Sequence, residues 1–146
     1  MARNTVRIDA PPESVWEVLA DPRLYGNWVV GASATYEVEG TWPEVGSVLH
    51  HSQMMVIRDV TIVRESEPAR RLLLEARARP LIVAMVAVTL EPDGDGTLLL
   101  LDEWASGGLA AAAPRAVTDA LIHVRNREAV KRLKRLVDIG RQLGRA

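Results

Sequence analysis

A chain of 146 residues is long enough to build one domain with a sizeable core, and its 48% hydrophobic and 25% charged content excludes a disordered or fibrous architecture. The absence of cysteine excludes a disulfide framework, thiolate catalysis and any cysteine-based zinc site, and fits a reducing compartment. The formal net charge of −1 conceals an asymmetry: residues 1–114 carry nine Arg against sixteen acids, whereas residues 115–146 carry nine Arg and Lys against three acids. A basic segment can mark a nucleic-acid or membrane partner, but the acidic body beside it can be its partner instead. The expectation here is a charged, solvated face, with no nucleic acid bound.

The amino terminus, MARNTVRIDAPPE, lacks the apolar core of a signal peptide, and no apolar run approaches the roughly 20 residues of a membrane span. A soluble cytoplasmic protein without membrane insertion is expected. Asn4 to Asp9 alternates as a first strand, ended by Pro11 and Pro12, which cannot donate to a ladder. Glu13 to Ala20 has helical spacing through Val15, Val18 and Leu19, and Asp21-Pro22 caps a second short helical turn reaching Trp28. Residues 32–39 alternate again, and 40–46 form a turn rich in breakers.

Four further strands are predicted at 48–56, 59–66, 71–79 and 81–90. Pro92-Asp93-Gly94-Asp95-Gly96 is a tight turn, so residues 81–90 and 97–105 should form a hairpin. Strands that follow one another without intervening helices pair antiparallel. In the 71–79 strand, Leu72, Leu74, Ala76 and Ala78 share the face expected to meet the core. Residues 81–90 and 98–101 are apolar on both faces, so either a second subunit covers the outside or these strands occupy the tightest part of a curved sheet. A homodimer is the weaker-supported expectation.

Pro114 to Leu143 is the longest helical pattern. Ile122, Ala129, Val130, Leu133, Leu136, Val137 and Gly140 fall on one stripe, whereas Val117, Ala120, Leu121 and Val124 lie on another. The turning face predicts a first half that roofs a cavity and a second half that seals the core. A bend or differing neighbours would produce the same pattern.

One strand, two short helices, six antiparallel strands and a long closing helix is the element order of the START-like helix-grip superfamily. The segments APPESVWEVLADP, YGNWVVGA, ESEPARRLLLEARARP, PDGDGTLLLL and RNREAVKRLKRL resemble its motifs, the last being similar to the polyketide cyclase/dehydrase-like branch. The resemblance spans about Asn4 to Leu143 and implies an α+β fold, one ligand-binding domain over residues 1–146 and a cavity for a small hydrophobic molecule, aromatic, polyketide-like or lipid. It implies no cofactor. Members include carriers, receptors, cyclases and co-chaperones, so it leaves open whether a reaction is catalysed.

Nucleotide-binding, serine-hydrolase and zinc-protease motifs are absent. His50 and His51 are neighbours on a strand and point to opposite faces, so they cannot jointly chelate a metal. Parity does not decide which of the two faces the interior; His51 is taken as that residue, a proton shuttle or a structural side chain. Glu103 shares its face with Leu99 and Leu101, and Asp102 with Leu98, Leu100 and Trp104; whichever carboxylate faces inward would be desolvated and fit for acid–base work, with Glu103 taken as the candidate. Arg125 or Asn126 would face it from the helix, or an Arg–Glu pair would simply fasten helix to sheet. Tyr25 and Trp28 are expected ligand contacts, with Met54, Met55, Leu74, Ala76, Met85, Leu101 and Leu121 completing the lining.

Overall fold

The computed structural model describes residues 1–53, 57–78 and 82–144. Strand β1 (Ala2–Ile8) leads through helix α1 (Pro12–Leu19) and a 3-10 turn (Pro22–Leu24) to the single-turn helix α2 (Tyr25–Trp28). Strands β2 (Ala32–Glu39), β3 (Val48–Gln53), β4 (Ile57–Glu67), β5 (Arg71–Ala78), β6 (Ile82–Asp93) and β7 (Gly96–Gly107) follow. A second 3-10 turn (Leu109–Ala112) precedes the closing helix α3 (Arg115–Gln142). The seven strands form one antiparallel sheet in the order β1-β7-β6-β5-β4-β3-β2. This is the helix-grip architecture that the element order implies.

Local chemistry sets the boundaries. Pro12 stands at the first turn of α1, where its missing N–H costs nothing, and the Asp21 carboxylate accepts from the Arg23 N–H at 3.0 Å to open the 3-10 turn. Gly94, at φ 61°, lets the β6–β7 hairpin reverse in two residues, so these strands run further toward the turn than the hydrophobic pattern suggests. A Cβ on Gly96 would stand 2.7 Å from the Ile8 carbonyl, so only glycine admits β1 there.

The inner face of the sheet carries Ile8, Leu49, Val63, Leu72, Leu74, Val88, Leu99 and Leu101, all buried against Val15 and Leu19 of α1 and Leu133 and Val137 of α3. Each such side chain contributes about 1.5–3 kcal/mol relative to exposure. The outer face is different. Asp102 accepts both arms of the Arg3 guanidinium at 2.7 and 2.9 Å, Glu75 is bonded by Arg64 and Arg77, and Met85 pairs with Trp104. Met85 therefore lies on the outer face, opposite to the expected cavity lining, because its register alternates with inward Ala84 and Val86.

Helix α3 departs from expectation in its first half. Its buried residues are Asn126, Ala129, Val130, Leu133 and Val137, while Val117, Leu121 and Val124 are 52%, 68% and 62% exposed. Leu121 therefore does not border the cavity between sheet and α3, and the helix meets that cavity through Arg125, Asn126 and Ala129 instead of through the Val117–Val124 stripe. A helix offers the sheet one side only. Three contacts set which side: the Asn4 amide on the His123 carbonyl at 3.0 Å, the amino terminus on Asp119 at 2.6 Å, and Arg125 on Glu103. With that rotation fixed, the second apolar stripe points to solvent.

The basic surface of α3 is also less matched to the body than the charge counts suggest. Among the described residues, Glu103 is the sheet carboxylate it pairs with, whereas Arg132–Glu128 and Lys134–Asp138 lie within the helix. Among those residues no helix is long and apolar enough to cross a membrane.

Candidate functional site

Between the sheet and α3 lies a cavity made by small side chains. Along β5 and β6 the inward positions run from Leu72, Leu74 and Val88 to Ala76, Ala78 and Ala84, and Ala129 faces them from α3. The missing side-chain volume leaves about 40 Å³ open to the centre of a water-sized sphere, room for about three water molecules. Val29, Ile82, Val86 and Leu101 complete the apolar wall.

Two buried polar groups interrupt that wall. On the helix side, Glu103 of β7 is 4% exposed and receives the Arg125 guanidinium, whose Nε also donates to the Asn126 Oδ1 at 3.4 Å. Burial raises the Glu103 carboxyl above its usual range, opposed by the Arg125 charge and hydrogen bond and by the nearby Asn126 amide. The fastening pair and the desolvated carboxylate are thus one arrangement.

The other group sits where α2 meets β3 and β4. The Thr61 hydroxyl, fully buried, lies 2.8 Å from the Tyr25 hydroxyl and 2.9 Å from His51 Nε2. The Tyr25 ring is 5.0 Å from the His51 ring and meets Trp28 and Trp42 edge-on at 5.5 and 6.2 Å. Burial pushes the Tyr25 phenol up to about 12, with the Thr61 hydrogen bond opposing, so it stays a protonated donor at neutral pH. A threonine has one O–H and two lone pairs. If Tyr25 donates to Thr61 and Thr61 donates to Nε2, the three groups form a directed relay for a proton.

Of the histidine pair, His51 is inward at 1% exposure and His50 is outward, its Nε2 2.6 Å from Glu39. Tyr25, Trp28, His51, Leu74, Ala76, Leu101, Glu103, Arg125 and Asn126 all border the cavity. Met54 and Met55 fall outside the described residues. Among those residues no group of three or more His, Asp or Glu is placed to hold a metal ion.

Two further buried polar residues lie on β4, and of these Asp59 borders the cavity. Asp59 and Thr61 of β4 are 2% and 0% exposed, and burial pushes the Asp59 carboxyl up to about 6. Their shared parity with Val63 was the available signal. Asp59 is hard to recognise because an acid at a strand's start reads as a solvated edge, and only the register that sets it opposite His51 brings it inside.

Three solved structures share the fold. A Bacillus thuringiensis protein is 13% identical with a TM-score of 0.71, over 93% of this chain and 97% of its own. DynU16, a protein in the dynemicin biosynthetic locus, is 24% identical with a TM-score of 0.67, over 95% of this chain and 47% of its own. CalU16 from Micromonospora echinospora is 20% identical with a TM-score of 0.60, over 90% of this chain and 74% of its own. No curated protein matches. The family described as polyketide cyclase/dehydrase and lipid transport matches residues 2–138, nearly the whole chain, and the protein belongs to that family.

Proposed function

We propose that residues 1–146 act as one ligand-binding domain, taking a small, ring-bearing, polyketide-like molecule into the cavity between sheet and α3. What carries this reading is the cavity wall itself, an apolar surface opened by alanines and interrupted by buried polar groups, which is the composition of a small-molecule site. Family membership and the likeness to a protein in the dynemicin biosynthetic locus support the ligand class. A ring exceeds the open volume, so binding displaces wall side chains.

If the ligand is a substrate, cyclisation or dehydration is the reaction the site suits. His51, held in place through Nε2 by Thr61 and Tyr25, exchanges one proton with the substrate and returns it in the same cycle, Glu103 supplies a second carboxyl, and Arg125 with Asn126 polarises a carbonyl. Native mass spectrometry of the purified protein is expected to reveal a co-purified small molecule, and the same spectra report a dimer mass. With that molecule as substrate, His51→Ala should lower turnover about a hundredfold while leaving affinity in place. Unchanged turnover removes the catalytic assignment and leaves a carrier. Absence of any bound molecule, in a cavity this small, favours an interaction module that works through the apolar outer face around Leu73, Met85 and Trp104.

A further inference from the structure

The cavity holds a polar group that no contact among the described residues explains. Asp59 is 2% exposed and borders the cavity, and neither of its carboxylate oxygens has a hydrogen-bond partner among the described residues. Neither the hydroxyl beside it on β4 nor the side chain beside it on β5 donates to it. Thr61, two residues along the same face, is shared by Tyr25 and His51. Val60 pairs with Arg77, which sets the apolar Ala78 beside Asp59 on β5. Across on β3, His51 directs Nε2 at Thr61. Glu103 is buried to a similar degree but holds Arg125. A buried carboxylate costs stability unless something donates to it, and this one faces open space lined by Ala76, Ala78 and Ala84.

We infer that Asp59 is the ligand's polar anchor: the molecule bound here carries a hydrogen-bond donor, a hydroxyl or an ammonium, that docks on this carboxylate while its ring lies along the alanine wall. The inference rests on the cavity reading above and adds the polarity of the ligand and the end at which it is held. At neutral pH the carboxyl, held up to about 6 by burial, is ionised and accepts only. The charged and titratable groups facing the same space are His51 from β3, Tyr25 from α2, Arg77 from β5, Glu103 from β7 and Arg125 from α3.

The test is an NMR titration of the ¹⁵N-labelled protein with phenol, benzylamine and toluene, three probes of one ring and differing donors. Wild type should bind phenol or benzylamine about tenfold or more tightly than toluene, the scale of a hydrogen bond to a charged group, with amide shifts centred on Thr61 and Ala78. Preference for benzylamine identifies a cationic donor, and preference for phenol a neutral one. Asp59→Leu should abolish the preference, and Asp59→Asn, a neutral acceptor of the same shape, should reduce it. If toluene binds as well as the donors, or if Asp59→Leu leaves the preference intact, the anchor is wrong while the cavity reading survives. If none of the probes shifts the cavity amides, both are overturned.

Discussion

Glu103 and Asp59 are two carboxylates of one cavity, both nearly inaccessible to solvent, and the fold treats them oppositely. Glu103 receives Arg125 from α3 and has Asn126 beside it, so its charge is spent on fastening helix to sheet. Asp59 receives nothing within the described fold. The difference teaches that burial alone does not mark a functional acid. A buried charge with an internal partner serves the scaffold even where it also lines a site, whereas one without a partner is left to be answered by something outside the chain.

The largest way to break the comparison is to give Glu103 the condition of Asp59. Arg125→Leu strands a buried carboxylate, and because the arginine is partly exposed the loss should be about 2–4 kcal/mol, or very roughly 5–15 °C in Tm for a chain of this length. Adding Glu103→Leu should restore most of it, and a double-mutant cycle by thermal and denaturant unfolding measures the coupling. A null effect of Arg125→Leu would mean that the pair contributes only geometry.

The reverse experiment removes the unpaired charge. Well below its unfolded value of 3.8, Asp59 is protonated in both folded and unfolded chains and contributes nothing. As pH rises toward 6 the unfolded chain loses its proton first, from a value of 3.8, while the folded chain holds it to about 6, so stability falls across that window and the penalty is complete above it. Asp59→Asn should therefore raise stability at pH 7 by about 2 kcal/mol and flatten the pH dependence between 4 and 6. Equal stability of mutant and wild type at pH 7 would show that the carboxylate has found a partner in solution.

The smallest effect sharpens the boundary of the site. Leu121→Ser, on the exposed stripe of α3, should change stability by less than about 0.5 kcal/mol and leave the probe affinities of the cavity untouched. A clear loss of affinity would place that stripe at the ligand after all.

The Asp59 result also measures how far the sequence reaches. Glu103, Arg125 and Asn126 are legible because strand parity with Leu101 and the edges of a helical stripe confine them to a few orientations. His51 is half legible, since adjacent histidines must point to opposite faces and parity names the pair without choosing between them. Thr61 and Asp59 are less so. Their inward orientation depends on where β4 begins relative to β3, and a one-residue change of register would send both outward.

What the sequence by itself determined is the order and kind of the elements, and through them the helix-grip fold. Alternation, proline breaks, the Asp-Gly turn and a long 3.6-residue period are local signals that neighbouring residues carry together. What only the tertiary structure decided is which side of each element meets the interior. The rotation of α3, held by contacts from Asn4, Glu103 and the amino terminus in distant parts of the chain, turned Val117, Leu121 and Val124 to solvent. The pairing of β3 with β4 brought Asp59 to the cavity. Periodicity says that a face exists, but only contacts far apart in sequence say what that face touches.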